Sequence, residues 1–175
     1  METKSEVLKN IYLELGITPA HLSANRLNLS PQANFEDLKV VDLDIQGRPF
    51  ALTNASAKAW LEMKSAAAAD HILINPASGF RSYIYQKKII QGLIAKGRSI
   101  ENVLTSLAIP GYSEHHTGRA IDIYKAEEIP ESEFHNTDSY SWLLENAGRF
   151  GFTLSYPQNN DRGIIFEPWH WLFAP

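Results

Sequence analysis

The chain has 175 residues, enough for one domain with a substantial core, and its 44% hydrophobic and 21% charged residues are ordinary for a globular protein. A net charge of -4, with no Lys/Arg run able to track phosphates, argues against a nucleic-acid partner. Cysteine is absent, which excludes disulfides, a thiol nucleophile and thiolate metal sites and leaves His and carboxylates as the available ligands.

Val7, Leu8, Ile11, Tyr12 and Leu15 recur at helical spacing ahead of Gly16, which predicts an amphipathic first helix. The charged stretch from Met1 to Glu6 leads into no apolar run of signal-peptide or membrane-spanning length. The expectation is a cytoplasmic protein with no membrane partner, or a periplasmic or extracellular one if an export signal has been removed. Thr18 to Asn34, with Pro19 and Pro31, reads as loop or short turns, and His21 within it as solvated.

Leu38 to Ile45 and Phe50 to Leu52 flank the turn Gln46-Gly47-Arg48-Pro49, which predicts a β-hairpin. Asn54 is placed to cap an alanine-rich helix running to about Ala69, with Trp60, Leu61 and Met63 as its larger apolar residues. His71 to Ile74 reads as a short buried strand. Ser82 is a candidate N-cap for a helix whose apolar stripe is Ile89, Ile90, Leu93 and Ile94 and whose stop is Gly97. Arg81 then lies at a helix N-terminus, where cation and peptide dipole act together on an anionic group, and Gln86 lies one turn in.

Further along, Ser99 to Ala108 reads as a short helix, Pro110-Gly111 as a turn and Ala120 to Tyr124 as a strand. Lys125 to Asp138 is acidic and polar, a loop in which His135 is a bystander. Ser141 to Asn146 reads as a helix closed near Gly148. Phe152 to Tyr156 and Gly163 to Glu167 read as the last two strands, joined by the polar loop Pro157 to Arg162. Strands outside a simple βαβ alternation, with several helices and no repeat or linker, predict a single α+β domain. Residues 1–50 are expected to form an N-terminal helix and loop extension, and residues 51–175 the core.

Two stretches carry chemistry. The first is Ser113-Glu114-His115-His116-Thr117-Gly118-Arg119-Ala120-Ile121-Asp122, and the second is Glu167-Pro168-Trp169-His170. Two imidazoles and one carboxylate, with a spare carboxylate beside them, make the set required by a hydrolytic Zn2+ site with one open position for water. Residues seven apart on one strand face opposite ways, so a histidine of the first stretch meets Asp122 only if Thr117-Gly118 bends the chain. Spacing leaves open whether His115 or His116 is the ligand. Asp122 sits on an otherwise packable strand, where the competing explanation is a salt bridge to Arg81 or Arg119. Pro168 cannot donate to a ladder, so a break there lets His170 reach the ion while Glu167 stands beside the water as general base. Arg81 would stabilise the oxyanion.

Ser113-x-His115-x-x-Gly118-x-Ala120-x-Asp122 followed by Glu167-Pro168-Trp169-His170 resembles the signature of the VanY-type D-alanyl-D-alanine carboxypeptidases, part of a wider group of zinc peptidases. Ser78-Gly79-Phe80-Arg81-Ser82 with Gln86, and Phe152-x-Leu154-x-Tyr156-Pro157, resemble that family's substrate-binding segments. The resemblance runs from about Ala55 to Phe173 and leaves the first fifty residues without a counterpart. It implies a small α+β domain whose central antiparallel sheet, flanked by helices, carries the zinc. It assigns His115, Asp122 and His170 as ligands and Glu167 as base. Arg81 would polarise the scissile carbonyl, and Gln86, Ser113, Tyr156 and Trp169 would line the peptide pocket. His116 stands where relatives often have Gln and would add positive charge near the ion at low pH. Ser155 and Leu172 stand where relatives often have Arg.

The implied substrate is a peptidoglycan stem peptide or muropeptide losing its terminal D-alanine. The motifs do not separate D,D- from L,D-cleavage. A cytoplasmic enzyme would meet imported tetrapeptides, whose terminal bond is L,D, so that bond is favoured and the D,D bond of pentapeptides comes next. The alternatives are a phage-type endopeptidase and a non-catalytic zinc protein of the Hedgehog kind. A serine hydrolase built on Ser113 and His115 lacks an evident nucleophile–base geometry.

Overall fold

The computed structural model describes residues 3–124 and 131–174. Helix α1 (Lys4–Leu15) starts on a capping box, in which the Thr3 hydroxyl accepts from the Glu6 N–H and the Glu6 carboxylate accepts from the Thr3 N–H. It ends at Gly16 in the left-handed region. Within the stretch expected to be loop, Thr18 and His21 build a second capping box that supports a short helix, α2 (Pro19–Ala24). His21 is thus a capping residue, its Nδ1 accepting from the Thr18 N–H.

Strands β1 (Leu38–Leu43) and β2 (Pro49–Thr53) form the expected hairpin. Its turn is organised by Asp44, whose Oδ1 accepts the N–H groups of Gln46 and Arg48. The hairpin joins residues on both sides of position 50. Helix α3 (Asn54–Ala69) follows at once, with Thr53 rather than Asn54 at the N-cap position. The central sheet has four strands in the order β3-β4-β6-β5, all antiparallel: β3 (Asn75–Ser78), β4 (Ala120–Tyr124), β5 (Phe152–Leu154) and β6 (His170–Phe173). Helices α4 (Tyr83–Ala95), α5 (Ile100–Leu104) and α6 (Asp138–Asn146) complete the regular elements.

The alternation of β4 explains the layering. Ile121 and Ile123 are fully buried with Trp60 and Met63 of α3, Leu143 of α6 and Phe50 and Leu52 of β2. Each large apolar side chain so buried is worth about 1.5–3 kcal/mol. Asp122 points to the opposite face of the sheet, which the hairpin, α4 and the loops around Tyr156 and Glu167 enclose as a cleft of about 480 Å³. A second cluster, with Ile11 and Leu15 of α1, Ile90 of α4 and Val103 of α5, holds α4 in place.

Two expected strands are not strands. His71 takes a positive φ of 61° in the turn that closes α3, and Leu73 is largely exposed, so pairing begins only at Asn75, opposite Tyr124. Gly163 to Glu167 is also irregular: Ile164 packs with Leu27 and Tyr156, Ile165 is exposed, and its N–H bonds to the Thr105 carbonyl of another segment. The last strand starts at His170 instead, and β5 ends at Leu154 rather than Tyr156. In the expected loop from Lys125 to Asp138, residues 125–130 lie outside the described residues, and Glu131–Asn136 forms a 3-10 turn.

Candidate metal centre

Antiparallel register does half of the assembly. Asp122 in the middle of β4 is the cross-strand partner of His170, the first residue of β6, and His170 Nδ1 lies 2.9 Å from Asp122 Oδ1. Pro168 does not interrupt a strand. It sits in a tight turn before β6, where the His170 N–H donates to the Glu167 carbonyl at 3.1 Å. His115 arrives from a 3-10 turn (Glu114–Thr117) closed by Gly118 at φ 66°. A side chain at Gly118 would be strained by that φ, and its Cβ would fall 2.8 Å from Leu38 Cδ2. The Gly118 carbonyl accepts from the Thr53 N–H and the Ser56 hydroxyl, which anchors the turn to the start of α3. His115 Nε2 then stands 3.2 Å from Asp122 Oδ1.

Ligand atoms about 2.0–2.1 Å from a tetrahedral ion lie about 3.3 Å from one another, close to the separations seen here. One atom from each of His115, Asp122 and His170 falls within 4.8 Å of the others. The outer nitrogens fix the tautomers. His115 Nδ1–H donates to the Gly79 carbonyl at 2.7 Å, which leaves the Nε2 lone pair facing inward. His170 Nε2–H donates to Glu114 Oε2 at 2.9 Å, which aims Nδ1 at the same point. The residues present therefore fit a divalent ion, and a two-nitrogen, one-oxygen set of this kind suits Zn2+.

Asp122 also carries the salt bridge that competed for it in the sequence: Arg81 Nη2 donates to Oδ2, which lies 3.1 Å from His115 Nε2, while Oδ1 lies within reach of both imidazoles. Burial raises the Asp122 pKa, but the charges of His115 and Arg81 and the imidazole hydrogen bonds outweigh it and hold the carboxyl well below its usual range. Burial and the nearby Arg81 charge lower His115 to about 4. Burial also acts downward on His170, yet the hydrogen bonds to Asp122 and Glu114 and the neighbouring carboxylates raise it to about 10.

The other predicted residues line one cleft. Glu167 is buried, with Oε2 4.0 Å from His170 Nδ1. Arg81 is oriented by Ser78, whose hydroxyl accepts from Nε at 2.8 Å. Ser113, Tyr156 and Trp169 all contribute to the wall, and the Tyr156 ring packs 4.9 Å from that of His170. Gln86 is fully buried. Its Nε2 donates to the Ala108 carbonyl, and its Oε1 has no hydrogen-bond partner among the described residues. An unsatisfied buried acceptor costs about 1–3 kcal/mol, and a ligand N–H would relieve it.

One expectation is corrected. His116 is no source of charge near the ion, because it is completely buried and both ring nitrogens are engaged. Nδ1–H donates to the Arg81 carbonyl at 2.7 Å, and Nε2 accepts from the Gly111 N–H at 3.1 Å. Burial lowers its pKa to about 4. One donor and one acceptor is what a Gln amide offers as well.

Sequence reasoning missed Glu114. Its Oε2 accepts from His170 Nε2 and, at 2.6 Å, from the Ser155 hydroxyl, with Arg162 3.8 Å from Oε1. Burial raises its pKa, but these partners lower it below the ordinary glutamate value. The available signal was an acid directly before a candidate ligand. Its partner, 56 residues away, could not be read from spacing.

A buried cluster of two histidines and an aspartate, with a glutamate at its side and an open cleft, is the donor set of a mononuclear zinc hydrolase. The family model described as VanY, D-alanyl-D-alanine carboxypeptidase, matches residues 50–175, and the chain belongs to that family. A D-alanyl-D-alanine carboxypeptidase of Enterococcus faecalis is 34% identical over 123 residues, covering 65% of this chain and 44% of that protein. The chain thus spans less than half of that relative. The solved structure of the LdcB LD-carboxypeptidase superposes with a TM-score of 0.71 at 30% identity, covering 85% of this chain and 73% of that one. A mutant of the VanY D,D-pentapeptidase from a VanB-type resistance cassette, solved with Zn(II), gives 0.63 at 28% identity, covering 86% and 88%. The small α+β domain with its antiparallel sheet is shared with these two peptidase structures.

Proposed function

We propose that the chain is a zinc-dependent carboxypeptidase that removes the terminal D-alanine of peptidoglycan stem peptides. The observation that carries this reading is the convergence of His115 Nε2, Asp122 Oδ1 and His170 Nδ1 beside Glu167 at the floor of an open cleft. In this reading His115, Asp122 and His170 would hold Zn2+, which would supply Lewis acidity and lower the pKa of a water to about 7. Glu167 would take a proton from the attacking water as its oxygen adds to the scissile carbonyl carbon, and would return that proton to the amine nitrogen as the C–N bond breaks. Arg81 places its positive charge where the carbonyl oxygen gains negative charge, while Asp122 keeps the guanidinium in position. Gln86 Oε1 accepts from a peptide N–H, and Ser113, Tyr156 and Trp169 shape the pocket around the terminal residue. Glu114 and the Gly79 carbonyl keep the imidazoles aimed.

The favoured substrate is a tetrapeptide cut at its L,D bond, in keeping with the TM-score of 0.71 to LdcB, an LD-carboxypeptidase. A second reading, D,D-cleavage of pentapeptides, is favoured by the Enterococcus faecalis relative's name. Zinc-loaded protein incubated with each muropeptide, with product masses read, tests both. Loss of one alanine from the tetrapeptide supports the first reading, and loss from the pentapeptide alone supports the second. Release of a fragment from within the stem would replace both with an endopeptidase.

A further inference from the structure

The cleft has a second cation, and it comes from outside the segment that matches the family. Arg48 lies in the turn between β1 and β2, before residue 50 where the match begins, yet it lines the same cleft as the metal cluster. The turn is docked against the sheet: the Ile45 N–H donates to the Pro76 carbonyl of β3, the neighbour of the strand that carries Asp122. Asp44 folds the turn around itself, and its Oδ2 accepts from Arg48 Nε at 2.6 Å. From the other side, Arg48 Nη1 donates to the Tyr85 hydroxyl of α4 at 2.8 Å. Asp44 is almost fully buried, whereas the Arg48 side chain is 45% exposed. The guanidinium is therefore held on one edge by a buried carboxylate and steadied by a phenol. Among the described residues its Nη2 has no protein partner, and no acid other than Asp44 is paired with the guanidinium. A planar guanidinium with one edge anchored and donors left over is pre-organised for a carboxylate.

We propose that Arg48 is a specificity-determining residue that binds a free carboxylate of the peptide at the hairpin end of the cleft. This rests on the stem-peptide reading above and deepens it. Two sources offer that chemistry: the carboxylate of the terminal residue, and a carboxylate on the acyl side of the scissile bond. Arg48 would bind either one equally before and during reaction, so its contribution falls on KM rather than kcat.

The test uses the zinc-loaded full chain and four synthetic peptides ending in D-alanine. In these, the terminal carboxylate and an acyl-side carboxylate are each present either free or as the carboxamide. For the doubly charged peptide, Arg48→Met is expected to raise KM about tenfold to a hundredfold, the range of a hydrogen bond to a charged group, with kcat within about twofold. In wild type, amidating the recognised carboxylate raises KM by a similar factor, and in Arg48→Met that penalty disappears. Which amide loses its penalty identifies the source. Tyr85→Phe, which leaves the Asp44 contact intact, is expected to raise KM about twofold to tenfold for the same peptide, and it carries the test if Arg48→Met melts at markedly lower temperature. Equal penalties for both amides in wild type and variants overturn the assignment to Arg48 while leaving the carboxypeptidase reading standing. Wild-type protein that releases D-alanine from none of the four overturns both.

Discussion

The strand side and the turn side of the metal centre are built by different means. Asp122 and His170 approach each other because β4 and β6 are in register, so every ladder hydrogen bond between those strands helps to hold them. His115 and His116 owe their positions to one short turn. Its ends are tied by Gly118 to α3, by the His115 carbonyl to the Arg81 N–H, and by the His116 ring to Arg81 and Gly111. Regular backbone pairing is redundant, whereas the turn depends on a few side-chain and backbone contacts. The two adjacent histidines show the consequence: with nearly the same burial, one ring faces the ion site and the other is a structural strut.

Substitutions on the strand side are expected to have the largest effects. Asp122→Ala removes the oxygen shared by both imidazoles and leaves Arg81 without its counter-charge. The expected outcome is loss of bound zinc by elemental analysis and D-alanine release at background. Glu167→Gln keeps the ligands, so zinc should remain while kcat falls about 10²–10⁴-fold, the usual range for a lost general base. Undiminished turnover in that variant would remove Glu167 from the chemistry. Glu114→Gln tests the bridge between the two sides, because Glu114 belongs to the turn and its carboxylate holds the strand ligand His170. A loss of about 10–100-fold in zinc affinity, read by competition with a chelator, is expected for such an outer partner.

The smallest effect belongs to His116. In metal-free protein, His115 and His116 have pKa values lowered to about 4 from an ordinary 6.5. The unfolded chain therefore binds more protons between these values, and stability is lost as pH falls from about 6.5 to 4, by about 1.4 kcal/mol per pH unit for each histidine. His170, raised to about 10, works in the other direction: its contribution is complete below about 6.5 and disappears as pH rises towards 10. His116→Gln keeps one donor and one acceptor, so activity should stay within about twofold. Denaturant titrations across pH should show an acid limb shallower by one proton. A large loss of activity would mean that the ring does more than hold Arg81 and Gly111.

Much of the fold was legible where local rules dominate. The helical spacing before Gly16, the hairpin turn at Gly47 and the N-cap at Ser82 all appear as read. The two misread strands failed for one reason. His71 to Ile74 and Gly163 to Glu167 are short apolar runs whose backbone partners lie elsewhere, and a run of that length has no period long enough to distinguish a strand from a packed loop. At the site, the residue types and the break at Thr117-Gly118 were legible because each answers a local need. Glu114, Ser155 and Arg48 were not, since their partners lie 56, 41 and 37 residues away.

By itself the sequence determined which chemistry was available: with cysteine absent, a metal had to be held by imidazole and carboxylate, and two motifs supplied them. Spacing could not say which histidine turned inward or which nitrogen of each ring was left bare, although likeness to a family favoured His115. Only the tertiary structure decided the tautomers, because they depend on acceptors brought in by other segments, Gly79 for His115 and Glu114 for His170. It also decided that the hairpin turn, remote from both motifs in the chain, stands over the cleft with Arg48 facing into it. Donor identity is a property of residues, whereas direction is a property of the packing around them.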